Sequence, residues 1–82
     1  MLTSGIIEVD VHGCTAVEAK KKIDIVIKKA HKSVYRIRVV HGYRTGTVLR
    51  DMVRYDYRNH EKVIRIATTV NAGETDLILR EL

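Results

Sequence analysis

The sequence predicts an α+β fold, a two-layer sandwich in which two helices cover one face of a four-stranded mixed sheet. Segments with strand-like and helix-like spacing of apolar residues alternate in the order β-α-β-α-β-β. A chain of 82 residues has room for a simple core between two layers. Its composition, 45% hydrophobic and 30% charged, is that of a folded protein. We therefore expect a single domain over residues 1–82.

The first strand and helix are marked by a change of period. Apolar and polar residues alternate in IIEVDVH (6–12), which is typical of a half-buried strand, with Asp10 and His12 on its polar face. Gly13 ends this pattern. Thr15 and Glu18 then have the spacing of a capping box, and helical periodicity predicts a helix from about Thr15 to His31.

The second half of the chain repeats this alternation of strand and helix. VYRIRVV (34–40) predicts a strand with Arg36 and Arg38 on one face. Helical spacing returns from Thr47 to about Asn59, where arginines recur at every fourth position. KVIRIATTV (62–70) and TDLILREL (75–82) predict two strands joined by a turn at NAGE.

This order of elements brings two similar loops together. A strand-helix-strand crossover is right-handed and favours parallel neighbouring strands, whereas the last two strands form a hairpin. Asp10 to Gly13 and the pair His41-Gly42 follow two parallel strands, so both should lie at the same edge of the sheet. Ligands bind at that edge in open α/β sheets.

The charge of the chain restricts the class of partner. Fifteen Lys and Arg against ten Asp and Glu give a net charge of +5, which favours a polyanion such as nucleic acid. No apolar run is long enough for a membrane span or a signal peptide, and the single cysteine, Cys14, excludes an internal disulfide. We therefore predict a cytoplasmic protein with no membrane partner.

Asp10 and His12 are the candidate catalytic residues. Their spacing of two places both side chains on one face of the strand, within reach of one phosphodiester. His12 can exchange a proton near neutral pH, while Asp10 orients it or stabilises its charged form. The alternative is that both are polar residues on an uncovered sheet face.

HGYRTGT (41–47) is the candidate phosphate-binding loop. Its glycines allow a sharp turn that presents backbone amides, and a helix N-terminus follows. The loop is too short for a P-loop or dinucleotide fingerprint, so no small-molecule cofactor is expected. The candidate contacts with nucleic acid are Gly13, His41, Gly42, Tyr43, Arg44, Thr45, Gly46, Arg50, Arg36 and Arg38.

Several of these residues have a second interpretation. The loop can be an ordinary turn, His41 can serve only to fix it, and Tyr43 can be an exposed tyrosine rather than a platform for a base. Glu8, Asp10 and His12 share a face, so a site for a divalent metal ion is a further alternative. Neighbouring side chains of a strand, however, converge poorly on one ion.

Three segments resemble the Smr (small MutS-related) domain family. VDVHGCTAVEA (9–19) is similar to its LDLHG-x-x-x-x-EA opening, VVHGYRTGTVLRDMV (39–53) to its second His-Gly loop and helix, and NAGETDLIL (71–79) to its last turn and strand. Two positions differ from the family pattern. Arg44 replaces a loop glycine, and Ala72 replaces a proline in the turn.

The resemblance implies a fold like the C-terminal domain of the third translation initiation factor. It also implies nucleic acid as partner, either RNA or DNA, with branched or ribosome-associated forms among the candidates. Family members include DNA-nicking and RNA endonucleases, so the resemblance implies phosphodiester cleavage with Asp10 and His12 at the site. The alternative is a module that binds structured nucleic acid or the ribosome without cutting. Arg44 favours this alternative if its bulky side chain blocks the close approach of the nucleic acid that cleavage needs.

Overall fold

Six elements follow one another in the predicted order. The computed structural model describes residues 5–44 and 47–81. The elements are β1 (Ile6–Asp10), α1 (Ala16–Lys29), β2 (Arg36–Val40), α2 (Val48–Asp56), β3 (Arg65–Thr68) and β4 (Glu74–Ile78). All six predicted elements are present, and several are shorter than predicted. Residues 62–64, predicted as the start of the third strand, instead precede β3, and the Val63 amide closes a turn by donating to the His60 carbonyl (3.0 Å).

The strands form one mixed sheet in the order β1-β2-β4-β3. β1 runs parallel to β2, with Asp10 opposite Val40, which confirms the predicted parallel pair. β4 is antiparallel to both β2 and β3, as expected for a mixed sheet that ends in a hairpin. The order of the strands makes β2 and β4 the central strands and leaves β1 and β3 at the edges.

The core lies between the sheet and the two helices. The sheet contributes fully buried side chains such as Val39 and Leu77, and α1 contributes Ile23. Tyr57, just after α2, is also fully buried, and its hydroxyl donates to the Asp24 carboxylate on α1 (2.5 Å). Burial and this negative partner raise the pKa of the Tyr57 phenol, so the tyrosine stays neutral and ties the two helices together.

The two helices begin in different ways. At α1 the Glu18 amide donates to the Thr15 hydroxyl (3.2 Å) and the Thr15 amide donates to the Glu18 carboxylate (2.9 Å), so the predicted capping box is complete. These hydrogen bonds also lower the pKa of Glu18. At α2 the N-cap residue Thr47 makes no side-chain capping bond. The first amides of α2 therefore receive no capping bond from Thr47.

No helix within the described ranges is long and apolar enough to cross a membrane.

Candidate nucleic-acid site

The two His-Gly loops meet at one edge of the sheet. The Val11 amide donates to the Val40 carbonyl (2.9 Å), which extends the parallel pairing one residue beyond β1. Gly13 and Gly42 then turn the chain with φ of 79° and 80°, a conformation that favours glycine. A Cβ on Gly42 would lie 3.6 Å from the Cβ of His12. The predicted convergence of the loops is therefore present.

The second loop is held in place by the turn before β4. The amides of His41 and Gly42 both donate to the Gly73 carbonyl, at 2.9 and 3.0 Å. A Cβ on Gly73 would lie 3.3 Å from the Gly42 Cα and 3.4 Å from the Tyr43 ring, a close approach that favours glycine at this position. The turn at residues 71–74 thus supports the loop as well as connecting two strands.

Asp10 and His12 form a hydrogen-bonded pair. The Nδ1 of His12 lies 2.5 Å from the Oδ1 of Asp10, and the backbone amide of His12 donates to the same oxygen at 3.0 Å. The pKa of the Asp10 carboxyl is lowered mainly by the hydrogen bond from the His12 side chain, and next by the hydrogen bond from the His12 backbone amide. Both side chains stay open to solvent, with 52% of Asp10 and 69% of His12 exposed.

The pairing determines which nitrogen of His12 is free. An ionised carboxylate only accepts hydrogen bonds, so Nδ1 carries the proton and donates to Asp10. Nε2 makes no hydrogen bond to any residue in the described part of the chain. In the neutral ring this nitrogen is a base, and in the charged ring it is an acid.

His41 has partners for both of its ring nitrogens. Its side chain is only 2% exposed; Nδ1 donates to the Gly42 carbonyl (2.7 Å), and Nε2 lies 2.8 Å from the Thr75 hydroxyl. Burial is the main cause that lowers the pKa of His41, which favours the neutral ring. With Nε2 accepting from Thr75, these contacts suit the interpretation in which His41 fixes the loop.

The hydrogen bonds of His41 extend to α2. Arg54 donates from Nε to the Thr75 oxygen (3.1 Å), and the Thr75 hydroxyl then donates to His41. Thr75 is fully buried. One continuous series of hydrogen bonds therefore joins Arg54, Thr75, His41 and the Gly42 carbonyl.

The tip of the second loop is exposed. Tyr43 is 60% exposed, and the guanidinium carbon of Arg44 lies 5.9 Å from the centre of its ring. Arg50, in the first turn of α2, is partly exposed and its Nε donates to Asp51 at 3.3 Å. Thr45 and Gly46, two of the predicted contacts, lie outside the described residues.

Two depressions flank the meeting point of the loops. One, of about 310 Å³, is lined by residues 12–13 and 40–44, and therefore by both His-Gly loops. The other, of about 340 Å³, lies where the two helices begin and is lined by residues 13–16 together with His41, Val48 and Leu49. Gly13 and His41 contribute to both depressions.

Arg36 and Arg38 lie on the uncovered face of the sheet, as predicted, but both are paired with Asp76. Arg38 donates from two nitrogens to the two oxygens of Asp76, each at 3.0 Å, and Arg36 donates to the same carboxylate at 2.6 Å. Asp76 is fully buried although it lies on this face. The paired carboxylate raises the pKa of Arg38. Both guanidinium groups are thus paired with a carboxylate but keep further N–H groups, and their contact with nucleic acid stays a prediction.

The uncovered face of the sheet carries charges of both signs. The strand register places Arg36, Arg38 and Arg65 on it together with Glu8, Asp10, Glu74 and Asp76. Arg65 also donates to Glu81 at 2.7 Å. The register thus places three arginines and four carboxylates on this face, and Arg65 is paired with a further carboxylate, so the positive charge of the chain lies mainly on the helices and loops.

Sequence reasoning missed Asp76, Thr75 and Arg54 as parts of this region. The sequence did contain an indication of the role of Asp76, because it is an acidic residue inside an apolar strand, ETDLI. Its partners are 38 and 40 positions away, and only the pairing of β2 with β4 brings them together.

Within residues 5–44 and 47–81, no three His, Cys, Asp or Glu side chains are placed to hold a metal ion together. Glu8, Asp10 and His12, the combination considered from sequence, accordingly do not form such a group.

The fold and this edge define a class of protein: a small two-layer α+β domain with an aspartate-histidine pair between two glycine-containing loops. The Smr domain family model matches residues 9–75, so the chain belongs to the Smr domain family. This family is associated with nucleic-acid binding and nuclease activity.

A solved structure agrees with this assignment. The Smr domain of Thermus thermophilus MutS2 is 29% identical in sequence and superposes with a TM-score of 0.80, over 92% of this chain and 99% of that one. No curated protein matches the chain.

Proposed function

We propose that this Smr domain is an endonuclease that cleaves a phosphodiester bond of RNA or DNA at the edge where the two His-Gly loops meet. The observation that carries the proposal is the Asp10–His12 pair, in which Asp10 engages Nδ1 and leaves Nε2 free beside the second loop. Gly42 lies against His12, so a phosphate held by the second loop would be close to that nitrogen.

The surroundings of the pair favour a bound phosphate. Thr47 makes no side-chain capping bond at the N-terminus of α2, whose amides and dipole favour an anion. Arg44 and Arg50 place positive charge on either side of this helix start. Arginine donates two parallel hydrogen bonds to phosphate oxygens, which positions as well as binds the group.

The reaction on RNA needs a proton acceptor, a bound phosphate and a proton for the leaving oxygen. His12 Nε2 takes the proton of the 2′-hydroxyl, the 2′-oxygen forms a bond to phosphorus, and the bond from phosphorus to the 5′-oxygen breaks. The departing 5′-oxygen takes a proton from solvent water, and Asp10 stabilises the charged imidazole. On DNA, which lacks this hydroxyl, a water molecule is the nucleophile: it gives its proton to His12 Nε2, its oxygen forms a bond to phosphorus, and one phosphorus–oxygen ester bond breaks, with the departing oxygen protonated by solvent water.

A panel of labelled single-stranded and double-stranded RNA and DNA tests the proposal, with and without a chelator. We expect wild type to cleave at least one substrate, and Asp10→Asn and His12→Ala to lose most of that activity. His31→Ala is the matched control, because His31 is exposed and lies outside the site. Equal cleavage by wild type and His12→Ala would disprove the assignment.

A module that binds structured nucleic acid or the ribosome without cutting is the second candidate. The observation that favours it is Arg44, which lines the depression between the loops where the family pattern has glycine. Binding without cleavage in the same panel would support this candidate. If an Arg44→Gly variant then gained cleavage, the arginine would be identified as the obstacle. A cytoplasmic location is part of both proposals.

A further inference from the structure

We propose that the groove between α2 and the edge strand β3 binds a second stretch of the phosphate backbone of the same nucleic acid. This inference rests on the proposed nucleic-acid function and extends it to a surface outside the Asp10–His12 site. The groove has a volume of about 320 Å³ and is lined by Arg50, Asp51, Arg54, Tyr55, Arg58 and Ile66.

The spacing of the three arginines suits a linear polyanion. Arg50, Arg54 and Arg58 recur at every fourth position along and just beyond α2, so their side chains lie on one face. Their Cα atoms span about 12 Å in helical geometry, comparable to the axial rise of roughly three to four nucleotides of one strand. One carboxylate, Asp51, lies among them, so the groove keeps a net positive charge.

Among the described residues, no buried carboxylate neutralises the arginines of this groove, whereas Arg36 and Arg38 on the sheet are both paired with Asp76. Arg54 and Arg50 each use Nε, for Thr75 and Asp51 respectively, and a guanidinium has four further N–H groups. Arg58 lies over the ring of Tyr55, with 5.5 Å from its guanidinium carbon to the ring centre. These contacts hold the side chains in position, which reduces the entropy lost when they bind a phosphate.

The groove continues from the proposed active site. Arg50 stands at the start of α2, next to the loop that carries Arg44. Arg54 is joined through Thr75 and His41 to the Gly42 carbonyl of the same loop. A strand bound beside His12 can therefore follow α2 through positively charged surface, and the exposed Tyr55 (63%) offers a ring on which a base can stack.

The sheet face argues for the same path. The strand register places four carboxylates and three arginines there, so these residues offer no net positive charge to a nucleic acid that runs across the sheet. The path along α2 avoids that face.

Arg58→Gln tests the groove, because Arg58 is exposed and lies outside the proposed active site. The matched control is Arg65→Gln, which removes an exposed arginine from the sheet face. Both changes are made in the His12→Ala background so that the probe stays intact. Affinity for fluorescein-labelled single-stranded and double-stranded RNA and DNA is measured by anisotropy over a series of salt concentrations.

We expect Arg58→Gln to weaken binding and to reduce the slope of log K against log salt by about 0.7–0.9, the value for one phosphate contact. Arg65→Gln should leave the slope unchanged. Lengthening a short probe by a few nucleotides on one side should increase its affinity for the parent protein and leave its affinity for the R58Q protein unchanged. Equal slopes for R58Q and R65Q would disprove the proposal that the groove binds phosphate. So would an equal gain in affinity from the longer probe in the parent protein and in R58Q.

The same set of proteins separates this inference from the proposed function. If the parent protein with Arg58 binds no probe at low salt, both are wrong. If the parent protein binds and R58Q behaves like R65Q, only the proposal about the groove is wrong. If R58Q loses affinity as expected while wild type and Asp10→Asn cleave equally, the proposal about the groove is supported and the catalytic assignment of Asp10 is wrong.

Discussion

At the scale of the residue, His41 explains how a polar side chain is accommodated in the core. Both of its nitrogens have partners, and the neutral ring is the form that accepts from Thr75 while donating to the Gly42 carbonyl. Replacing it with an apolar residue removes the acceptor of the Thr75 hydroxyl, whose oxygen still accepts from Arg54, and removes the donor to the Gly42 carbonyl. An unsatisfied buried group costs about 1–3 kcal/mol. We therefore expect His41→Leu to lower the free energy of unfolding by at least that amount in urea denaturation at neutral pH, with His31→Ala nearly unchanged.

The same residue predicts a dependence of stability on pH. Burial lowers the pKa of His41 in the folded protein below its ordinary value of 6.5, so the unfolded chain binds the proton first as the pH falls. The stability that His41 contributes is complete above the ordinary value and is lost as the pH falls through the lowered one. Urea denaturation between pH 7.5 and about pH 5 should show a larger loss of stability in wild type than in His41→Leu. Parallel curves would contradict this.

At the scale of the element, the two helix starts provide an internal comparison. Thr15 caps α1 in a complete capping box, whereas Thr47 makes no capping bond at α2. Loss of a capping side chain costs about 1 kcal/mol. Thr15→Ala should therefore lower the free energy of unfolding by about that amount, and Thr47→Ala should change it by much less. Equal losses measured by urea denaturation would show that the cap at α1 contributes nothing specific.

The link between β2 and β4 supports a second prediction at this scale. Asp76 is fully buried between Arg36 and Arg38, whose side chains are 27% and 29% exposed. Breaking a buried ion pair by removing one partner costs about 3–5 kcal/mol. Asp76→Ala leaves two arginines close together without their shared carboxylate, whereas Arg38→Ala leaves Asp76 with Arg36. We expect Asp76→Ala to lose more stability in urea denaturation, and equal losses would contradict the shared role of Asp76.

The sequence predicts a feature well when the interacting residues are close together along the chain, and poorly when they are far apart. Periodicity and the Thr15–Glu18 spacing predicted the elements and the cap, because these depend on near neighbours. The meeting of the two His-Gly loops followed from the rule for parallel strands. The pairing of Arg38 with Asp76, and of Arg54 with Thr75, depends on β4 lying beside β2 and under α2. Local patterns carry no information about that adjacency.

At the scale of the whole molecule, stability depends on one thin core, since 82 residues form only two layers. Ile23 is fully buried in that core, whereas Ile25, on the same helix, is 52% exposed. Removing a buried isoleucine costs about 2–5 kcal/mol, because apolar contacts are lost and a cavity remains. For a domain of this size each kcal/mol lowers Tm by roughly 4–8 °C.

Ile23→Ala should therefore lower Tm by at least about 8 °C. Ile25→Ala, which removes the same atoms from a half-exposed site, should lower it by only a few degrees. The measurement is thermal unfolding followed by circular dichroism, with both variants compared in the same buffer. A large loss of Tm in Ile25→Ala would indicate that the exposed side of α1 is covered by a second molecule in solution. In that case its Tm, and that of wild type, would also depend on protein concentration.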